Sequence, residues 1–225
     1  MELAEKLSRY IRQQEQCDEV HVGEPKRMTT GASRETWIFE VELVRGADRQ
    51  KRRMVLRRDP EEGVSYSTRA EEFAVLKQAH ADGIPVPRPL YQTDDALERP
   101  AILMEYVSGE TYPKRPLNAP AFAESRTRWA AQLGETLARI HQLPLDGALA
   151  WMKEKTTDAL LSQYAQVYRE SQLKPSPVLE LAFRWVARNK PTEHPRTFLH
   201  TDYRMGNLMF DQQGLVAVLD WELAH

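Results

Sequence analysis

The stretch Leu199-His200-Thr201-Asp202-Tyr203-Arg204-Met205-Gly206-Asn207-Leu208, followed by Leu219-Asp220-Trp221-Glu222, decides how the chain is read. It sets an acid, an amide and a second acid on loops beside short apolar runs: Thr197-Phe198-Leu199, Leu208-Met209-Phe210 and Val216-Ala217-Val218-Leu219. Runs this short, rich in β-branched and aromatic residues, read as strands. Asp211-Gln212-Gln213-Gly214 reads as the turn joining the last two. Short strands of this kind hold polar side chains rigidly at one rim.

Outward from that stretch the pattern is helical. Ala130, Leu133, Leu137, Ile140 and His141 form one stripe of a helix over 119–142. A second helix is expected over 157–169. A third opens with Ser176 as N-cap and Pro177 at its first position, and Pro191 closes it. Further upstream, residues 36–44 alternate and are β-rich, Gly46-Ala47-Asp48 is a turn, and 53–57 is a second strand, so the pair reads as a hairpin. Phe73, Leu76 and Ala79 share one face of a helix over 68–81, which Pro85, Pro87 and Pro89 bring to an extended stop. Residues 101–107 read as a buried strand ending at Ser108-Gly109, and Leu3, Leu7, Tyr10 and Ile11 mark an N-terminal surface helix over 2–14. The fold class is α+β. A small β-rich lobe over 1–107 connects near 107–109 to a mainly helical lobe over 108–225 that carries a β-hairpin.

Composition bounds the function. Apolar residues at 41% and charged residues at 28% of 225 residues exclude collagen-like and wholly disordered chains. With 31 Lys and Arg against 33 Asp and Glu, the net charge of −2 supplies no bulk positive field for nucleic acid. A single cysteine, Cys17, suits a reducing cytoplasm. Neither a secretory signal nor a membrane-spanning apolar run is read, so a cytoplasmic protein is expected.

Phosphoryl transfer from a nucleotide needs a carboxylate near the acceptor hydroxyl and an oxygen-rich pair for Mg²⁺, in the order H-R-D-x-x-x-x-N and then a later Asp. His200-x-Asp202 with four residues before Asn207 meets that spacing, and Asp220 follows a hydrophobic strand. Mg²⁺ takes hard oxygen ligands and few protein carboxylates, which suits Asn207 and Asp220. An Asp-Asn turn before a hairpin is the structural alternative.

On these residues the chain resembles the aminoglycoside phosphotransferase-like, or small-molecule kinase, family. The wording His-x-Asp-Tyr-Arg-x-Gly-Asn-Leu and Asp-Trp-Glu-Leu-Ala is close to the branch associated with acyl-CoA dehydrogenases. The resemblance covers most of the chain and implies a two-lobed protein-kinase-like fold. It implies that Asp202 accepts the acceptor's proton, that Asn207 and Asp220 hold Mg²⁺, and that ATP or GTP is the co-substrate. The matching histidine of the family braces the loop, which favours a structural role for His200. The family usually carries Gly where Thr201 stands.

Thr30-Gly31-Ala32-Ser33 resembles the family's nucleotide-binding loop, with Gly31 and Ser33 as its candidates. Strand alternation puts Val55 and Arg57 on one face, where Val55 could touch adenine. Arg57 stands either as a phosphate-binding cation or as a solvated basic strand end. Glu72 would pair with Arg57, and Glu105 and Val107 fall on the connector whose backbone meets the purine edge. Family members continue past the Asp-Trp-Glu segment with further helices, so the helical lobe is expected to be truncated here, leaving apolar faces between 157 and 189 without part of their cover.

The reading is therefore a Mg-assisted phosphotransferase acting on a small-molecule hydroxyl. A nucleotide-binding pseudokinase or regulatory module is the alternative, and a metal-dependent hydrolase using His200, Asp202 and Asp220 is a third. Aminoglycoside, choline-like, sugar and hydroxyacyl-CoA acceptors stay open.

Overall fold

The computed structural model describes residues 2–28, 35–61, 67–152, 155–171, 174–190 and 196–225. Gly31 and Ser33, the nucleotide-loop candidates, lie outside them.

The N-terminal half is built on an antiparallel sheet. Its strands are β1 (Glu19–Val22), β2 (Lys26–Arg27), β3 (Glu35–Arg45), β4 (Asp48–Arg58), β5 (Pro89–Thr93) and β6 (Ala101–Glu105). They lie in the order β1-β3-β4-β6-β5, with β2 also on β3. The β3–β4 hairpin runs in unbroken register from Glu35↔Arg58 to Arg45↔Asp48. Its two-residue turn needs φ > 0 at the first central position, and Gly46 takes φ +57° without a Cβ clash. β4 begins five residues earlier than its apolar pattern predicts. Residues 48–52 are polar and face solvent, but backbone pairing to β3 needs no apolar side chain.

Helix α1 (Leu3–Glu15) buries Leu7, Tyr10 and Ile11 against one sheet face, where Phe39, Val41, Leu43, Met54, Leu56 and Leu103 meet them. Helix α2 (Arg69–Ala81) buries Val75, Leu76 and Ala79 on the other side. β6 explains the sandwich. Ala101 and Leu103 join the α1 core, while Ile102 and Met104 join the α2 core. A strand buried on both faces reads as a continuous apolar run, as this one does.

The α2 core continues into the C-terminal half through Trp129, Ile140, Phe198, Leu208, Phe210, Val218 and Trp221. The connector after β6 is pinned there: Glu110 and Phe210 exchange both backbone bonds, at 2.7 and 3.0 Å. Gly109 passes so close to Met209 that a Cβ would sit 2.4 Å from its Cγ.

The C-terminal half holds α3 (Lys114–Asn118), α4 (Ala123–His141), α5 (Thr157–Glu170), α6 (Pro177–Asn189) and the hairpin β7 (Leu208–Phe210) and β8 (Leu215–Val218). The helix expected over 119–142 starts later, after a 3₁₀ turn at Pro120–Phe122. Residues 197–199 form no ladder strand; Leu199 instead exchanges backbone bonds with His225 at 2.8 and 3.1 Å. Thr156 and Ser176 cap α5 and α6 as side-chain acceptors from Ala159 and Leu179. These two helices bury no residue; Val178, Leu181 and Trp185 are exposed. Among the described residues no helix is long and apolar enough to cross a membrane.

Candidate active site

Five of the expected residues, Arg57, Glu72, Asp202, Asn207 and Asp220, are linked where the end of β4, the start of α2 and two loops of the C-terminal half meet. Alternation along β4 sends its last two arginines to opposite faces. Arg58 faces Glu35 at 2.8 Å, which Arg99 also binds at 3.0 Å. Arg57 faces the C-terminal half. It donates to Glu72 Oε1 at 2.9 Å and to Asp220 Oδ1 at 3.1 Å. Its side chain is 17% exposed, so it is no solvated strand end. Burial works against the guanidinium charge, but Glu72 and Asp220 outweigh it and hold the pKa above the ordinary arginine value.

Glu72 sits one turn into α2. A capping box starts that helix: Thr68 Oγ1 accepts from Glu71 N at 3.1 Å, and Glu71 Oε2 accepts from Thr68 N at 2.7 Å. Glu71 is thereby committed to the helix end, and its neighbour Glu72 turns inward, fully buried. The second oxygen of Glu72 accepts from Arg69, whose Nε lies 3.0 Å from Asp59 Oδ1.

The catalytic-loop candidate is a network of its own. Asn207 Nδ2 donates to the Asp202 carbonyl at 3.0 Å and to Asp202 Oδ2 at 2.6 Å. Those partners can only accept, so the amide nitrogen must face them. The carbonyl oxygen of Asn207 is then the end that a cation can use. Asn207 O also accepts from Leu219 N at 2.8 Å, which joins this loop to the residue before Asp220. Asn207 and Asp220 thus offer one amide and one carboxylate oxygen, a donor set that fits Mg²⁺ completed by phosphate oxygens and water.

His200 braces both loops. Its Nδ1 accepts from Asp202 N at 3.3 Å, and its Nε2 faces the Leu219 carbonyl at 3.0 Å. An amide N–H only donates and a carbonyl only accepts, which fixes the neutral Nε2–H tautomer. Burial, the largest influence, holds its pKa below the ordinary histidine value. With both nitrogens engaged, His200 has no lone pair for a metal, and the hydrolase reading does not fit.

Two non-glycine residues of the site have left-handed backbones, Thr201 and Asp220, both at φ +64°. Asp tolerates this region; a β-branched residue there is strained by about 1–3 kcal/mol. The Thr201 hydroxyl stands 2.7 Å from the His200 carbonyl and 2.9 Å from the Leu223 carbonyl, tying this loop to the segment after Asp220. Thr201→Gly is therefore expected to stay within about 0.5 kcal/mol of the parent, because strain relief offsets the lost bond and added chain entropy. Thr201→Ala keeps the strain, loses the bond and is expected to cost about 1 kcal/mol. Denaturant unfolding of the two variants checks this, and equal stabilities would contradict it.

Glu105 and Val107 lie apart from these charges, at the end of β6 and on the connector. Glu105 N donates to the Arg88 carbonyl at 2.9 Å, and its carboxylate meets Arg88 Nη1 at 3.2 Å. Between them, Tyr106 carries the Arg53 guanidinium 3.9 Å above its ring.

The sequence reading missed two arginines. Arg204 Nε binds both Asp202 oxygens, at 3.0 and 3.1 Å, and lay in plain view inside the quoted motif. Arg69 was signalled only by its i,i+3 spacing to Glu72.

Comparison with known proteins fits this architecture. Acyl-CoA dehydrogenase family member 10 of Mus musculus is 31% identical over 191 residues, covering 80% of this chain and 17% of that protein. The chain thus spans less than a fifth of that relative's length. The GDP complex of an aminoglycoside 2'-phosphotransferase superposes with a TM-score of 0.67 at 16% identity, covering 97% of this chain and 72% of that one. A streptomycin–ATP ternary complex of an aminoglycoside phosphotransferase gives a TM-score of 0.65 at 16% identity, covering 98% of this chain and 72% of that one. These two establish the fold as kinase-like. A family model described as the phosphotransferase enzyme family, APH, matches residues 29–225, and the chain belongs to that family.

Proposed function

We propose that the chain transfers the γ-phosphate of ATP or GTP to a hydroxyl of a small molecule, with Asp202 as the base and Mg²⁺ held by Asn207 and Asp220. The observation that carries this reading is the pair of linked networks, Glu72–Arg57–Asp220 and Asn207–Asp202, joined through Leu219. Together they link Asp202, Asn207, Asp220, Arg57 and Glu72, the residues this reading needs, in one chain of bonds. Structural neighbours bound to GDP and to ATP with streptomycin support a nucleotide and a hydroxyl-bearing acceptor.

Asn207 and Arg204 hold the Asp202 carboxylate in place and leave lone-pair capacity on Oδ1. An acceptor hydroxyl would give its proton there. His200 fixes the backbone of the same loop, so the carboxylate needs no rearrangement. Arg57, permanently charged, would draw the nucleotide phosphates while Glu72 keeps it oriented. Bound at Asn207 and Asp220, Mg²⁺ would neutralise phosphate oxygens as the charge shifts. Most of the rate then comes from positioning and electrostatics.

Nucleotide consumption in the presence of Mg²⁺, screened against hydroxyl-bearing metabolites of the aminoglycoside, choline-like, sugar and hydroxyacyl-CoA classes, tests the reading. Metal-dependent ADP or GDP formation with one acceptor class is expected. Tight nucleotide binding without turnover on any acceptor would instead support a binding module. Asp220→Ala is expected to remove the Mg²⁺ dependence of nucleotide affinity in calorimetry; an unchanged dependence would reject this metal site.

A further inference from the structure

Five charged side chains form one continuous row: Asp59, Arg69, Glu72, Arg57 and Asp220. Arg69 Nε lies 3.0 Å from Asp59 Oδ1, Arg69 donates to Glu72 Oε2, Glu72 Oε1 accepts from Arg57 at 2.9 Å, and Arg57 reaches Asp220 at 3.1 Å. Asp59 follows Arg57 by two residues along the chain, so the first four close a ring through the backbone at the end of β4. Arg69 and its partner Asp59 have no part in the chemistry proposed above, and of the two only Arg69 touches Glu72.

Its location is costly. A guanidinium with a fully buried side chain gives up its hydration, and in the first turn of α2 it also meets the positive end of the helix dipole. Buried ion pairs of this kind add little net stability over apolar residues of similar volume. What they do supply is geometry. A carboxylate bound at one oxygen can turn about its last bond; one bound at both cannot. Arg69 occupies Oε2, so Oε1 stays directed at Arg57.

We infer that Arg69 is a positioning residue, which sets the orientation of Arg57 through Glu72 and thereby the affinity for nucleotide phosphates. The inference rests on the nucleotide-binding reading above. It makes the docked position of α2 a built-in property of the chain rather than one that ligand binding must create.

Titration of a fluorescent ATP analogue with Mg²⁺ into four proteins tests it: the parent chain, Arg69→Met, Arg57→Gln and the double variant. Arg69→Met is expected to weaken binding about tenfold in the parent, within the range of coupled charge networks, and less than about twofold once Arg57 is gone. An equal loss in both backgrounds would mean that Arg69 acts only on general stability, and no loss in the parent would mean that it does not act at all; either overturns the inference. If Arg69→Met does not fold, Arg69→Lys, which has one donor head for two carboxylates, replaces it in the same cycle with the same criterion. A parent chain that binds no nucleotide would reject the nucleotide-binding reading itself, a result distinct from failure of the cycle.

Discussion

Asp202→Asn is expected to lower phosphoryl transfer by about 10²–10⁴-fold, the usual contribution of a positioned base, while nucleotide affinity stays at the parent value. The separation follows from the two networks. The side chain of Asp202 touches Asn207 and Arg204, whereas Arg57 binds Asp220 and Glu72. An asparagine at 202 can still accept from Asn207 Nδ2, so the loop keeps its shape, but it cannot take a proton at Oδ1. Steady-state transfer to the acceptor found by screening, measured alongside nucleotide titration, checks both halves. A variant with parental turnover would remove Asp202 from the mechanism; a variant that also lost nucleotide would show that the two networks are not separable.

The second large effect is on the fold itself. Glu72→Ala is expected to cost about 3–5 kcal/mol of stability, because it removes the anion shared by two buried guanidiniums and leaves each with a single carboxylate partner. Arg57 keeps Asp220 and Arg69 keeps Asp59, but the two cations would face each other without the carboxylate that joins them. Glu72→Gln keeps the volume and one carbonyl acceptor and should lose less. Denaturant unfolding with the parent m-value measures the difference, and a loss below about 1 kcal/mol for the alanine variant would show that the row of charges is not a coupled unit. Nucleotide affinity should fall in both variants, since Arg57 then loses the partner that orients it.

The sequence alone determined the parts of this protein whose physics is local. Asp202 and Asn207 are five residues apart on one loop, so their kinase-like order was legible in the sequence, whereas the bond between them is set by the loop's geometry. Gly46 announced a hairpin turn because only glycine enters that conformation freely. Residues 101–104 declared a strand buried on both faces by being apolar throughout. What reached beyond a turn or a strand was settled only by packing. Glu71 and Glu72 are the same letter side by side; the capping box holds one at the helix end and the fold buries the other between two arginines. Arg57 and Asp220 are 163 residues apart, and no local pattern distinguishes that arginine from Arg58, which alternation turns to the opposite face. β1, β2 and β5 escaped notice because they are too short for a period to stand out, although Val20, Val22, Leu90 and Tyr91 pack on the α1 core. Burial, not residue type, separates a solvated charge from one held in a network, and burial exists only once the two halves have packed.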